Sequence, residues 1–181
     1  MDFNGKSKND IDLIKKYREM AIFPECEYAI DDVVNEAIIT SEREKAVDIV
    51  LDDVQDISDN IKEKIRTEFQ DILGMLKFTR KGHEIFRRWY IDSKLYYHIV
   101  IDTTNPKKGI QELRFIDPTK IKKIREIEKE KLSSGVEVIK TVNEYYIFDD
   151  KNQLIAGQPV AGGLKILPDA IAYTHSGLFD S

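Results

Sequence analysis

A single cysteine, Cys26, in 181 residues leaves no partner for an intramolecular disulfide and no thiolate set for a metal cluster, and it fits a reducing compartment. Apolar runs are short as well. None approaches the ~18 residues of a membrane-spanning helix, and the opening MDFNGKSKND has no apolar core of a secretory leader. Neither a Gly-x-Gly-x-x-Gly nor a Walker-type glycine loop occurs, so nucleotide phosphates have no visible cradle. Nothing around Ser176 resembles Gly-x-Ser-x-Gly, and His83, His98 and His175 stand apart, without a second histidine at i+3 or i+4. A basic excess is also missing: Lys+Arg number 28 against 33 Asp+Glu, a net charge of −5. A general nucleic-acid binder carries the opposite balance.

What is present is a globular composition with an ionic surface. Hydrophobic residues make up 41% and charged residues 34%, the latter above the usual quarter. Residues 1–9 are polar and expected to fray. From Asp10 onward Leu13, Ile14, Tyr17, Met20 and Ala21 recur at helical spacing, with Asn9 or Asp10 as the cap. Pro24 breaks that helix and suits the first turn of the next. The stretch AIDDVVNEAII, residues 29–39, then sets branched apolar residues beside acids. Cys26, Ala29, Ile30, Val33, Val34, Ala37 and Ile38 fall on one helical stripe, and Asp31, Asp32, Asn35 and Glu36 on the other. The acids are the wet side of an amphipathic helix.

Further along, Val47, Ile49 and Leu51 alternate with polar neighbours and predict a strand near 46–52. Ser58 caps a helix whose stripe is Ile61, Ile65, Phe69, Ile72 and Leu76. The next helix, TRKGHEIFRRWYIDS, turns Ile85, Phe86, Trp89 and Tyr90 inward and Arg80, Lys81, Arg87 and Arg88 outward. After Ser93 the period becomes two. Leu95, Tyr97, Ile99 and Ile101 share one face and Tyr96, His98 and Val100 the other, and 93–116 reads as an antiparallel hairpin around TTNPKKG. GVEVIKTVNEYYIFDD and AIAYTHSGL supply further strands. PTKIKKIREIEKEKL stays open: isoleucines every three residues suit a helix from Pro118, and a charged strand competes. The fold class is α+β, amphipathic helices packed with an antiparallel or mixed sheet. One domain spans 1–181, mainly helical over 10–92 and mainly β over 93–181.

Two chemistries compete with plain architecture. Asp48, Asp52 and Asp53 at a strand end would suit a two-metal nuclease, but no Glu-x-Lys follows at strand spacing. The basic residues Arg80, Lys81, Arg87 and Arg88, with Lys120, Lys122, Lys123 and Arg125, would suit phosphates or a neighbouring subunit. Tyr96, Tyr145 and Tyr146 would then form a stacking platform for bases. Solvated charged faces are the commoner outcome, and Glu126, Glu128 and Glu130 dilute the second patch. No catalytic constellation and no cofactor site emerges.

Several unusual strings then occur in one order: KYREMA, PECEYAIDDVVNEAII, YYHIVID, IQELRFIDPTKIKKIREI, EYYIF and AIAYTHSGLFD. Together, from about Asp10 onward, the chain resembles the portal vertex proteins of T-even-type myovirus phages. The resemblance implies a non-enzymatic virion component of the portal's wing region, in which AIDDVVNEAII is a structural helix, and it favours a strand for at least part of 120–127. It also implies a ring of twelve subunits at one capsid vertex that nucleates head assembly and passes DNA in and out. The implied partners are other portal subunits, the major capsid protein, scaffold, the terminase motor, neck proteins and viral DNA, first in the host cytoplasm and then in the virion. The chain ends at AIAYTHSGLFDS, before the family's stem and clip, and so is expected to be a partial portal domain. An uncovered apolar end with Leu178 and Phe179 is expected with it.

Overall fold

The computed structural model describes residues 3–39, 46–131, 137–150 and 163–177. Among them four helices precede six strands, and all strand pairings are antiparallel. The α+β class is therefore the observed one. The chain divides into two compact units, one formed by Met1–Lys16 with Lys94–Ser181 and the other by Tyr17–Ser93. The sequence places one domain here, with the change of period at Ser93. In this division the first sixteen residues group with the strands.

The helical unit is built on local signals. Helix α1, Phe3–Met20, starts well before Asn9, and Asp10 lies inside it with its carboxylate accepting from Lys94. It closes through Ala21 N–H donating to the Tyr17 carbonyl at 2.9 Å. Pro24 opens α2, Pro24–Ala37, with Glu25 and Glu27 in the first turn, where carboxylates meet the positive end of the helix dipole. The buried stripe of α2 is narrower than the sequence stripe. Val34 and Ile38 are buried and Cys26 and Ile30 half-buried, while Ala29, Val33 and Ala37 are exposed. One wall of neighbours covers a four-residue repeat and leaves the i−1 positions in water. Asp31, Asp32 and Glu36 are exposed, as amphipathicity requires.

Residues 46–52 form no strand. Their burial still alternates, with Leu51 buried and Val50 exposed, but no described strand lies beside them, and a strand needs a ladder partner for its backbone groups. Helix α3, Asp59–Met75, begins after Ser58, whose carbonyl accepts from Ile61 and Lys62 N–H; its side chain makes no cap bond. No residue of α3 is buried. Helix α4, Phe78–Asp92, packs through Gly82, where a Cβ would stand 3.1 Å from Phe78 and 3.2 Å from Ile38. Only glycine allows that approach without the neighbours giving way.

In the strand unit, β1 (Lys94–Ile101) is the centre of a sheet ordered β2-β1-β6, with β2 Ile110–Ile116 and β6 Ile171–His175. The hairpin of 93–116 is thus as the alternation indicates. A second sheet is ordered β3-β4-β5, from Ile121–Lys131, Glu137–Phe148 and Leu164–Ile166. The open stretch after Pro118 is therefore a strand: Ile121 and Ile124 lie opposite Phe148 and Tyr145. Pairing with an aromatic-rich strand outweighs the three-residue spacing of the isoleucines. The short β5 carries no alternation long enough to be read. Asp117 organises the turn between the sheets, its carboxylate accepting from Thr119 N–H at 2.8 Å and Thr119 Oγ1 at 2.7 Å. Tyr96, Ile116, Ile121, Tyr146, Ile166 and Ile171 form the core. On the face that Tyr96 shares with His98 and Val100, it is Tyr96 that meets the other sheet, its ring edge to face with that of Tyr146.

Candidate functional site

The sequence-singled cations fall in separate units. Arg80 and Lys81 are exposed on the first turns of α4. Arg87, one turn on, pairs with Asp31 and lies 3.7 Å from Glu27, so it ties α4 to the acidic face of α2. Arg88 pairs with Glu84 on its own helix. In the strand unit Lys120 Nζ donates to Asp150 at 2.8 Å and Lys123 to Glu144 at 2.9 Å. Each pairing raises the lysine's pKa and lowers that of its carboxylate. Arg125 lies opposite Glu144 across the ladder at 3.5 Å. Arg87, Arg88, Lys120, Lys123 and Arg125 thus meet the chain's own carboxylates, whereas Arg80 and Lys81 stand exposed.

The stacking platform is not assembled either. Tyr96 and Tyr146 are buried in the core with their rings edge to face at 6.0 Å. Tyr145 donates to Glu126 at 2.6 Å, and Lys165 lies 3.7 Å over its ring. Nor do the three aspartates converge: Asp48 accepts from Ile49 N–H, and Asp52 pairs with Arg66 at 3.3 Å. Among the described residues no group of three or more His, Cys, Asp or Glu is placed to hold a metal ion. His175 stacks on Tyr173, and its Nδ1 accepts from Gly177 N–H.

What the strand unit does contain is a cavity of about 260 Å3 between α1, β1, β6 and the start of β3. It is lined by the apolar side chains of Ile11, Ile14, Pro118 and Ile121 and by Asp10, Lys94, Tyr96, Lys122, Lys123 and Tyr173. Lys94 is nearly buried and donates to Asp10 at 2.8 Å. Tyr173 stacks on Tyr96 at 4.7 Å. Burial, with neighbouring phenols, pushes the Tyr96 hydroxyl far above its ordinary range, so it stays protonated. Burial pushes the Lys122 ammonium down. Sequence reasoning found Lys122 and Lys123 but missed Asp10, Lys94 and Tyr173. Asp10 and Lys94 are 84 positions apart, and no local pattern joins them.

Buried tyrosines, self-paired cations and helices joined by exposed ion pairs define a packing module of α+β class. Its sequence carries the affiliation. Residues 10–181 match the family model for Bacteriophage T4-like portal protein (Gp20), and the chain belongs to that family of structural phage proteins. It is 38% identical over 172 residues to the portal protein of Vibrio phage KVP40, covering 92% of this chain and 33% of that relative. It is 31% identical over 175 residues to the portal protein of Salmonella phage ViI, covering 91% of this chain and 31% of that relative. The chain thus spans about a third of the length of these relatives. Among the described residues no helix is long and apolar enough to cross a membrane.

Proposed function

We propose that this chain serves as a wing-region segment of a phage portal, a ring of twelve subunits at one capsid vertex through which DNA is packaged and ejected and on which the head is nucleated. Its work is packing against neighbouring subunits and capsid, and it performs no chemistry of its own. In the assembled particle its partners are portal subunits, the major capsid protein and, during assembly in the host cytoplasm, scaffold; motor, neck proteins and DNA meet the same ring. The observation that carries this reading is the family match over residues 10–181. Two features of the surface support it. Arg87, Lys120 and Lys123 are paired with the chain's own carboxylates. Large apolar side chains stand in water around the start of α2, with Ile22 74% and Tyr28 76% exposed, the kind of surface that subunit contact covers.

Immunogold electron microscopy of intact virions, with antibody raised against the exposed loop 103–109, tests the location. Label at a single vertex, the one bearing the tail, is the expected result. Label over all vertices, or its absence from virions that contain the other head proteins, overturns the reading.

A further inference from the structure

Helices α2 and α4 each carry charge that their own unit leaves unused. Arg87 takes up Asp31 and approaches Glu27, and Arg88 pairs with Glu84. Glu25, Asp32 and Glu36 remain on α2, and Lys77, Arg80 and Lys81 remain at the start of α4. All six are exposed, and among the described residues none of their side chains has an ion-pair or hydrogen-bond partner. Glu25 stands about two and a half turns before Val34, on the side opposite the buried Val34 and Ile38. Arg80 is about 200° around its helix from Gly82, and Gly82 packs on Ile38. The packed sides of the two helices thus meet, and the charged rows look outward on opposite sides of the pair. Each row is of one sign. The last turn of α2 holds no base, and the first turn of α4 holds no acid and no side-chain cap, so each dipole end reinforces the sign of its row.

We propose that these two surfaces form the contact between copies of the chain: the Glu25-Asp32-Glu36 row of one copy docks on the Lys77-Arg80-Lys81 end of the next. A second copy is the occupant they specify, because it brings three opposite charges to three. Either surface paired with itself would oppose like charges. The contact is therefore heterologous, and a heterologous contact repeats head to tail and closes into a ring when its rotation allows. Tyr28, 76% exposed, and Ile22, 74% exposed, lie beside the acidic row. They offer apolar area to the lysine stems and a ring face to the Arg80 guanidinium. Exposed ion pairs are weak singly, so the charges fix orientation and register while the contact between two free chains stays weak. The inference rests on the portal reading, which requires copies of one chain to meet side by side.

Zero-length carbodiimide cross-linking of the full chain, as an equal mixture of unlabelled and isotope-labelled protein, tests it. Amide links joining Lys77 or Lys81 to Glu25, Asp32 or Glu36 are expected in mixed-isotope pairs. They should fall several-fold as added salt shortens the Debye length from about 30 Å to about 8 Å. Arg80→Glu/Lys81→Glu and Asp32→Lys/Glu36→Lys, all at exposed positions, should each lose most of the links. An equal mixture of the two variants should restore them, because the acidic row of the first then meets the basic end of the second. Links confined to same-isotope pairs overturn the proposal. So do links spread evenly over other carboxylates, or a variant mixture no more linked than either variant alone. Any of these results alongside antibody label at the tail vertex sinks the contact and leaves the portal reading standing.

Discussion

Val33 and Val34 are adjacent and chemically identical, yet Val34 is 3% exposed and Val33 36%. The helical stripe includes both, since each lies within the apolar arc, and only the neighbours of α2 decide which is covered. Val34→Asp is therefore expected to cost about 3 kcal/mol or more, from an unpaired charge in the core. Val33→Asp should stay within roughly 1 kcal/mol. Urea melts of the two variants check the order, and a reversed order would place the other side of α2 inward. The buried carboxylate Asp92 offers a second probe. Arg18 grips it with two bonds, Nε to Oδ1 at 2.8 Å and Nη2 to Oδ2 at 2.7 Å. Arg18→Met should cost about 3 kcal/mol, because the carboxylate stays buried without that guanidinium. Adding Asp92→Leu should recover most of the loss. A double variant as unstable as the sum of the singles would mean the pair is not the cause.

The elements differ in how firmly they are held. Strand β1 has partners on both sides, Tyr96 lying between Ile116 and Tyr173, whereas α3 has no buried residue and Ile61 is 48% exposed. Hydrogen exchange should find the amides of β1 among the slowest and those of α3 much faster; equal protection would mean that another surface covers α3. In the hairpin loop Asp102 accepts from Thr104 N–H at 3.0 Å and from its hydroxyl, and from Lys108 Nζ at 3.0 Å. Those bonds hold its carboxyl at about 2, below the ordinary 3.8. A depressed folded pKa contributes stability that is present above about 3.8 and lost as pH falls through about 2. The carboxyl resonance of Asp102 should titrate near 2, and wild type and Asp102→Asn should converge in stability below that pH. Such local features were legible from residue order: Pro24 restarting a helix, Ser58 opening one, TTNPKKG closing a hairpin. What depends on a distant partner was not. Val47, Ile49 and Leu51 alternate like a strand but find no ladder, and Ile121 and Ile124 space like a helix but pair with Phe148 and Tyr145.

For the molecule as a whole, the family was legible from the order of its unusual strings, while the internal use of its charges was not. Arg87 reads as an outward cation until Asp31 is seen beside it, and Lys94 reads as a strand's first residue until Asp10 reaches it from α1. Tyr96 and Tyr146 read as a platform because aromatic residues on strands serve both stacking and packing; their burial assigns them to packing. Leu178 and Phe179, the apolar end singled out in the sequence, lie outside the described residues. An asymmetric cryo-electron microscopy reconstruction of the virion, with the Tyr17–Ser93 unit and the strand unit fitted separately, tests the portal assignment most directly. Twelve copies of each unit in the ring at the tail vertex is the predicted result; density at that vertex that accepts neither unit, or both units found instead throughout the capsid shell, would contradict it.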